Sequence, residues 1–265
     1  MQQTDFLSIL QMLEQSTDNS THFDEAWSQG RSAFGGIASA FAVTAMRKQM
    51  QSRQPMRSLM VSFIAPIPPG EITVAARIQR TGKNVTQMSA DVMAGGVIGL
   101  QAMGVFGNPR TALSIPAAAS FNPIPRAQGV AFATHAKRQP RFLDYFEGYW
   151  VSGGVPFSGT KQRHLAMWVR HKTDMSAFPT EKLVAICDIP PPVLLSYFDT
   201  PPVPASSLTW SLEFIVPPET ISGEWFYLDF YVESAVDGYT QQSGKIFDET
   251  GTLCALSRQC MVYFG

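Results

Sequence analysis

The chain has 265 residues, 45% of them hydrophobic, with 20 basic and 21 acidic side chains and a formal net charge of -1. This length fills one large domain or two ordinary ones, and so apolar a chain builds its core without disulfides or a metal. The charge balance excludes a nucleic-acid binder, which needs a basic face against phosphates, but leaves room for a local basic pocket for a small phosphorylated ligand.

In chain order, residues 4–15 read as a short amphipathic helix, with Thr4 as N-cap and Phe6, Ile9, Leu10 and Leu13 at helical spacing. The opening MQQTDFLSILQML has neither a basic flank nor a small-residue cleavage site, so it does not read as a secretory signal. No apolar run reaches membrane-spanning length. The segment GRSAFGGIASAFAVTAMRKQM predicts a buried helix starting near Gly36, with Arg47 and Lys48 at its negative end.

Strands are expected in SLMVSFIAP, in EITVAARIQR, and in NVTQMSADVMAG and VIGLQAMGVFG around a Gly95-Gly96 hairpin. Residues 108–139, rich in Pro, Ala, Ser and Asn, read as a linker. Aromatic strands follow in RFLDYFEGYW and HLAMWVRHK, then a helix in TEKLVAICDIPPPVLLSYF, interrupted after Asp188 by three prolines. SLTWSLEFI, GEWFYLDFYVES, GYTQQSGKIFDE and TLCALSRQCMVYF close the chain as strands.

The two halves match in order. SLMVSFIAPIPP from Ser58 parallels SLTWSLEFIVPP from Ser207, GKNVTQMSADV from Gly82 parallels DGYTQQSGKIF from Asp237, and GLQAMGVFG from Gly99 parallels SRQCMVYFG from Ser257. A duplicated unit of about 120 residues predicts two copies of one α+β domain sharing a sheet. The expected division is residues 1–112, a linker over 113–139, and residues 140–265.

A buried helix wrapped by an antiparallel sheet, present twice, resembles the double hot-dog fold. Phe34-Gly35-Gly36 resembles the FGG element of the acyl-CoA thioesterase II (TesB-like) family. WVRHK, the Asp188-Ile189-Pro190-Pro191 element, SLTWSLEF and GYTQQSGKIFDETGTLCALSRQ resemble the related thioesterase-like proteins. The resemblance implies hydrolysis of acyl-CoA by a carboxylate, a hydroxyl residue and a glutamine at the junction of the halves. The glutamine falls on Gln259, the hydroxyl nearest the pattern is Thr240, and Thr209 stands where the family has its strand aspartate. Asp188 is the nearest substitute carboxylate.

Thioester hydrolysis needs water made nucleophilic and an oxyanion stabilised. Asp188 suits the base, or alternatively N-caps PPPVLLSYF. Gln259 shares a strand face with Leu253, Ala255, Ser257 and Met261; it orients water or makes a structural hydrogen bond. Gly36, with Gly35 beside it, suits the oxyanion donor at a helix N-terminus, or makes a tight turn. Thr209 belongs to the catalytic candidates only through the family position, and otherwise reads as an ordinary strand residue. Phe34, Gly35, Tyr239 and Thr240 are the expected substrate-binding residues. Phe142, Tyr145, Phe146, Tyr149 and Trp150 make either core or an acyl tunnel.

His22, His135, His164 and His171 are scattered, with His135 and His171 expected at the surface, and no hydratase Asp/His pair or Gly-x-Ser-x-Gly elbow is present. No cofactor or metal is expected. Cys187, Cys254 and Cys260 suit a reducing cytoplasm. The last strand is apolar on both faces, with Cys254, Leu256, Cys260 and Val262 opposite Gln259, so a second chain in a homo-oligomer, or else the linker or first helix, should cover it. The expected activity is acyl-CoA hydrolysis, and the alternative is a catalytically weak acyl-CoA or acyl-carrier binding protein.

Overall fold

The structure, a computed structural model, describes residues 4–134 and 139–265. Its three α-helices are α1 (Phe6–Gln15), α2 (Gly35–Lys48) and α3 (Pro179–Cys187). The N-cap of α1 is Asp5, not Thr4: the Asp5 carboxylate accepts the Ser8 amide at 2.8 Å, while the Thr4 carbonyl accepts the Trp27 indole. Every residue of α2 from Gly36 to Met46 is buried, as expected of a helix enclosed on all sides, and its alanines let neighbours approach from every direction.

α3 is shorter than the sequence suggests. Asp188 is its C-cap, with φ -99° and ψ 1°, and does not begin a second helical segment. Proline at 190 disfavours the α conformation for the residue before it, and the chain resumes only as a 3-10 turn, Val193–Tyr197. The expected strand RFLDYFEGYW also begins with a 3-10 turn, Arg141–Tyr145. Phe142 and Leu143 are adjacent and both buried there, which strand alternation does not permit.

The strands of the N-terminal half are β1 (Ser20–Phe23), β2 (Ser28–Gln29), β3 (Ser32–Ala33), β4 (Met56–Phe63), β5 (Gly70–Thr81), β6 (Val85–Ala94) and β7 (Val97–Gly107). Those that follow are β8 (Val130–Ala131), β9 (Phe146–Gly153), β10 (His164–His171), β11 (Ala205–Phe214), β12 (Phe226–Val236), β13 (Tyr239–Asp248) and β14 (Leu253–Tyr263). β2 and β3 pair alone. The rest form a 12-stranded sheet in the order β1-β5-β6-β7-β4-β11-β14-β13-β12-β10-β9-β8. The expected hairpin at Gly95-Gly96 is present, with φ of +56° and +79° that the primed turn requires.

The halves meet where β4 pairs with β11, with Val61 opposite Trp210. Outward from that seam each half repeats one order, β4-β7-β6-β5-β1 against β11-β14-β13-β12-β10. The fold is therefore the expected α+β double hot-dog, one sheet curled around two helices. The register corrects one detail of the repeat. The sequence match sets Gln101 against Gln259, but Ala102 lies opposite Val61 whereas Gln259 lies opposite Trp210. Ala102 is therefore the positional counterpart of Gln259, and the slip of one residue turns Gln101 to the exposed outer face.

The outer face is partly covered by the chain itself. Phe121 of the linker packs edge-on against Trp168 and Tyr227 and tilts against Phe247, and the Trp168 indole donates to the Ile124 carbonyl at 2.8 Å. A bulge between Ile246 and Phe247 puts Leu253 in this outer cluster and Cys254 in the main core, the reverse of simple alternation. Met60, Met103 and Leu256 remain exposed nearer the seam. His171 is not the surface residue expected: α1 covers it, Phe6 stacks on its ring, and burial pushes its pKa down to about 4. His135 lies outside the described residues. No described helix is long and apolar enough to cross a membrane.

Candidate active site

Four polar side chains converge on the inner face where α3 ends, beside the head of α2. The Gln259 side-chain amide donates to Asp188 Oδ1 and to Ser207 Oγ, each at 3.0 Å. Its carbonyl oxygen accepts from Gln242 Nε2 at 3.2 Å, and Gln242 Oε1 in turn accepts the Val193 amide at 3.1 Å. Gln242 and Gln259 are buried and face each other across β13 and β14. Every polar atom of the Gln259 side chain is thus engaged, which locks its rotamer and leaves it positioning its neighbours.

Asp188 and Ser207 each keep part of their residue surface exposed, while the Asp188 carboxyl itself is enclosed. Enclosure raises the Asp188 pKa to about 7 against the opposing pull of the Gln259 hydrogen bond and the Gly36 amide. A carboxyl group poised near neutrality is matched to proton transfer at physiological pH.

The helix head is shaped around that carboxyl. A Cβ on Gly35 would sit 2.6 Å from Asp188 Oδ2 and 2.9 Å from the Phe63 ring, and one on Gly36 would sit 3.0 Å from the Ala185 backbone. Both glycines permit close approach, Gly35 to the carboxylate and Gly36 to α3. Gly36, the expected oxyanion donor, stands close enough to Asp188 for its backbone amide to hold that carboxyl's pKa down. Gly35→Ala should lower turnover on the order of 10²-fold by displacing that carboxyl while the protein stays folded, as steady-state kinetics alongside a melting curve would reveal.

The remaining candidates separate. A bulge at Leu208 turns Ser207 inward and leaves Thr209 exposed on the outer face, paired with Cys260 and Ser62 rather than with the inward-facing set. Thr209 is therefore not in the cluster. Thr240 is buried on the inner face two residues from Gln242, but its hydroxyl donates to the Ser234 carbonyl at 3.0 Å. Tyr239 is exposed and points the other way. Phe34 is fully buried and stacks on Phe142 at 4.0 Å, with Phe146 edge-on to both, and Tyr145 stacks on Trp27, so this aromatic group packs as core.

Sequence reasoning missed Gln242 and Ser207. The first was recoverable, because Gln242 shares strand parity with Thr240. The second was not, because its direction depends on the bulge. The opposite half has no equivalent cluster: by register Leu59, Ala90 and Ala102 stand where Ser207, Gln242 and Gln259 do, and the C-cap of α2 is Gln49 rather than an aspartate. Among the described residues no three His, Cys, Asp or Glu side chains come close enough together to hold a metal ion.

A sheet built from two repeated halves, each around a central helix, defines a double hot-dog protein. Residues 23–107 match the acyl-CoA thioesterase N-terminal domain and residues 122–263 the acyl-CoA thioesterase C-terminal domain. The chain belongs to the acyl-CoA thioesterase family. No curated protein matches it. Among solved structures it resembles a conserved hot-dog-fold protein of unknown function from Alicyclobacillus acidocaldarius (21% identity, 93% of this chain and 92% of that one, TM-score 0.82). It also resembles a tesB protein of Mycobacterium avium subs paratuberculosis (15%, 98% and 100%, 0.72) and an acyl-CoA thioesterase II from Mycobacterium marinum (17%, 87% and 89%, 0.67). At these identities the likeness establishes the fold.

Proposed function

We propose that the chain hydrolyses the thioester of an acyl-CoA, with Asp188 as general base. The observation that carries this reading is a carboxyl group with its pKa raised to about 7, pinned by Gln259 beside the hydroxyl of Ser207. In this mechanism water held by Asp188 and Ser207 attacks the thioester carbonyl and gives its proton to Asp188. The oxyanion forms against the positive end of α2, where Gly35 carries no side chain to block its amide. Collapse of the tetrahedral intermediate expels the CoA sulfur, which takes the proton back from Asp188. Gln259 and Gln242 are positioning residues rather than catalytic ones, because Gln259 spends both amide hydrogens on Asp188 and Ser207 and Gln242 holds Gln259.

Thiol release from a panel of acyl-CoAs, short, long and aromatic, tests the reading. Ser207→Ala should cost roughly tenfold in kcat through the loss of one hydrogen bond to the water, whereas Thr209→Ala should cost nothing. The reverse result would restore the strand position used by the family. The competing reading is an acyl-CoA or acyl-carrier binding protein with little turnover, favoured by the missing carboxylate at Thr209; binding without thiol release from any substrate would establish it. We retain the division into hot-dog units at residues 1–112 and 140–265, joined by 113–139. The expected homo-oligomer contact narrows to the uncovered outer strip around Met60, Met103 and Leu256, and sedimentation of Met60→Glu against wild type tests it.

A further inference from the structure

The pseudo-two-fold that relates Val61 to Trp210 carries the β12–β13 hairpin, which flanks the Thr240 end of the candidate site, onto the β5–β6 turn in the other half. The image of the site is chemically empty, lined by Leu59, Ala90 and Ala102, but the opposite, outward surface at the β5–β6 turn is not. There a concavity of about 300 Å³ is bounded by Arg80, Lys83, Asn84, Gln87 and Arg110. The backbone builds it: the Gly82 amide donates to the Val85 carbonyl at 2.8 Å, and the Asn108 amide to the Asn84 carbonyl at 2.9 Å. These bonds tie the turn to the chain leaving β7, bringing Arg110 beside Lys83.

Arg80, Lys83 and Arg110 are exposed, and none forms an ion pair among the described residues. Three uncompensated cations around one hollow, in a chain whose net charge is -1, form a local positive field that its own carboxylates do not quench. The Asn84 and Gln87 side chains add neutral donors. The hollow is of the size of a single headgroup, and two guanidinium forks with an ammonium suit phosphate oxygens.

We propose that this concavity binds a phosphate-bearing small molecule, through a pyrophosphate or phosphomonoester group. It is a binding site only, since no carboxylate lines it to act as a base. Its existence does not depend on the thioesterase reading. The anion could be the nucleotide end of an acyl-CoA or a separate phosphorylated effector, and both present the same groups to the cations.

Isothermal titration of the full chain with inorganic pyrophosphate and with adenosine 3′,5′-bisphosphate, at low and at physiological salt, tests it. Wild type should bind both, more weakly as salt rises, and the triple variant Arg80→Gln, Lys83→Gln, Arg110→Gln should bind at least about tenfold more weakly. Arg53→Gln, away from the hollow, should bind as wild type does. Absence of binding to wild type at millimolar anion, or equal binding by the triple variant, overturns the proposal. Kinetics then distinguish the source. If the anion is the substrate's own, KM for acyl-CoA rises in the triple variant while that for the matching acyl N-acetylcysteamine thioester does not. If it is an effector, both KM values hold and only anion binding is lost. Binding without any thioesterase activity would sink the function proposed above while leaving this site standing.

Discussion

Asp188→Asn should lower kcat/KM for acyl-CoA on the order of 10²-fold or more, because the amide cannot accept a proton from the attacking water. In the wild type kcat/KM should rise with pH to a plateau, with an inflection near the raised pKa of about 7; the variant should lack that inflection. The same substitution should stabilise the fold at alkaline pH. A carboxyl whose pKa stands near 7 when folded and near 4 when unfolded binds more protons in the folded state between those values. Its contribution is therefore fully present below about pH 4 and is lost as pH rises to 7. Asparagine carries no such loss, so urea unfolding should place the variant about 1–3 kcal/mol above wild type at pH 8 and level with it at pH 4, discounted for partial exposure and for the weakened Gly36 hydrogen bond. Equal stability at pH 8, or an unchanged pH–rate profile, would remove the carboxyl from both arguments.

The second large effect lies at the other end of the helix pair. Glu181 of α3 is fully enclosed and reaches across to α2, where Arg47 donates to it at 2.7 Å and the Thr44 hydroxyl at 3.1 Å. Burial pushes the Glu181 carboxyl above its usual range even with the guanidinium pulling it down. Arg47→Met should therefore cost about 3–5 kcal/mol by stranding a buried charge, and replacing both partners, Arg47→Met with Glu181→Leu, should recover most of it. In the single variant the glutamate's folded pKa rises further, so the deficit should be largest at pH 8 and should shrink as pH falls toward the unfolded carboxylate value. Denaturation at pH 5 and pH 8 measures both. A single variant as stable as wild type at pH 8 would mean the pair carries no net weight.

Much of this was legible in the chain. The small-residue run after Gly35 could only be a helix enclosed on all sides, and the ordered repeat of three strand motifs required two copies of one unit. Asp188 and Gln259 were named through the family resemblance, Gln259 from the family pattern and Asp188 as the nearest substitute carboxylate, and the structure places them in hydrogen-bond contact. The alternation around Cys254 misled for a physical reason. Periodicity assigns a face to every strand residue, and one bulge reverses all assignments beyond it.

The sequence by itself determined the fold class and the duplication, which depend on local pattern and composition, and its motifs resemble those of the family to which the chain belongs. Only the tertiary structure decided that Ser207 rather than Thr209 joins Asp188 on Gln259, and that Gln242 steadies Gln259. It also decided that just one of two symmetry-related positions holds the polar cluster. Each of these depends on the register between strands far apart in the chain and on the approach of two helices, and no local signal encodes either.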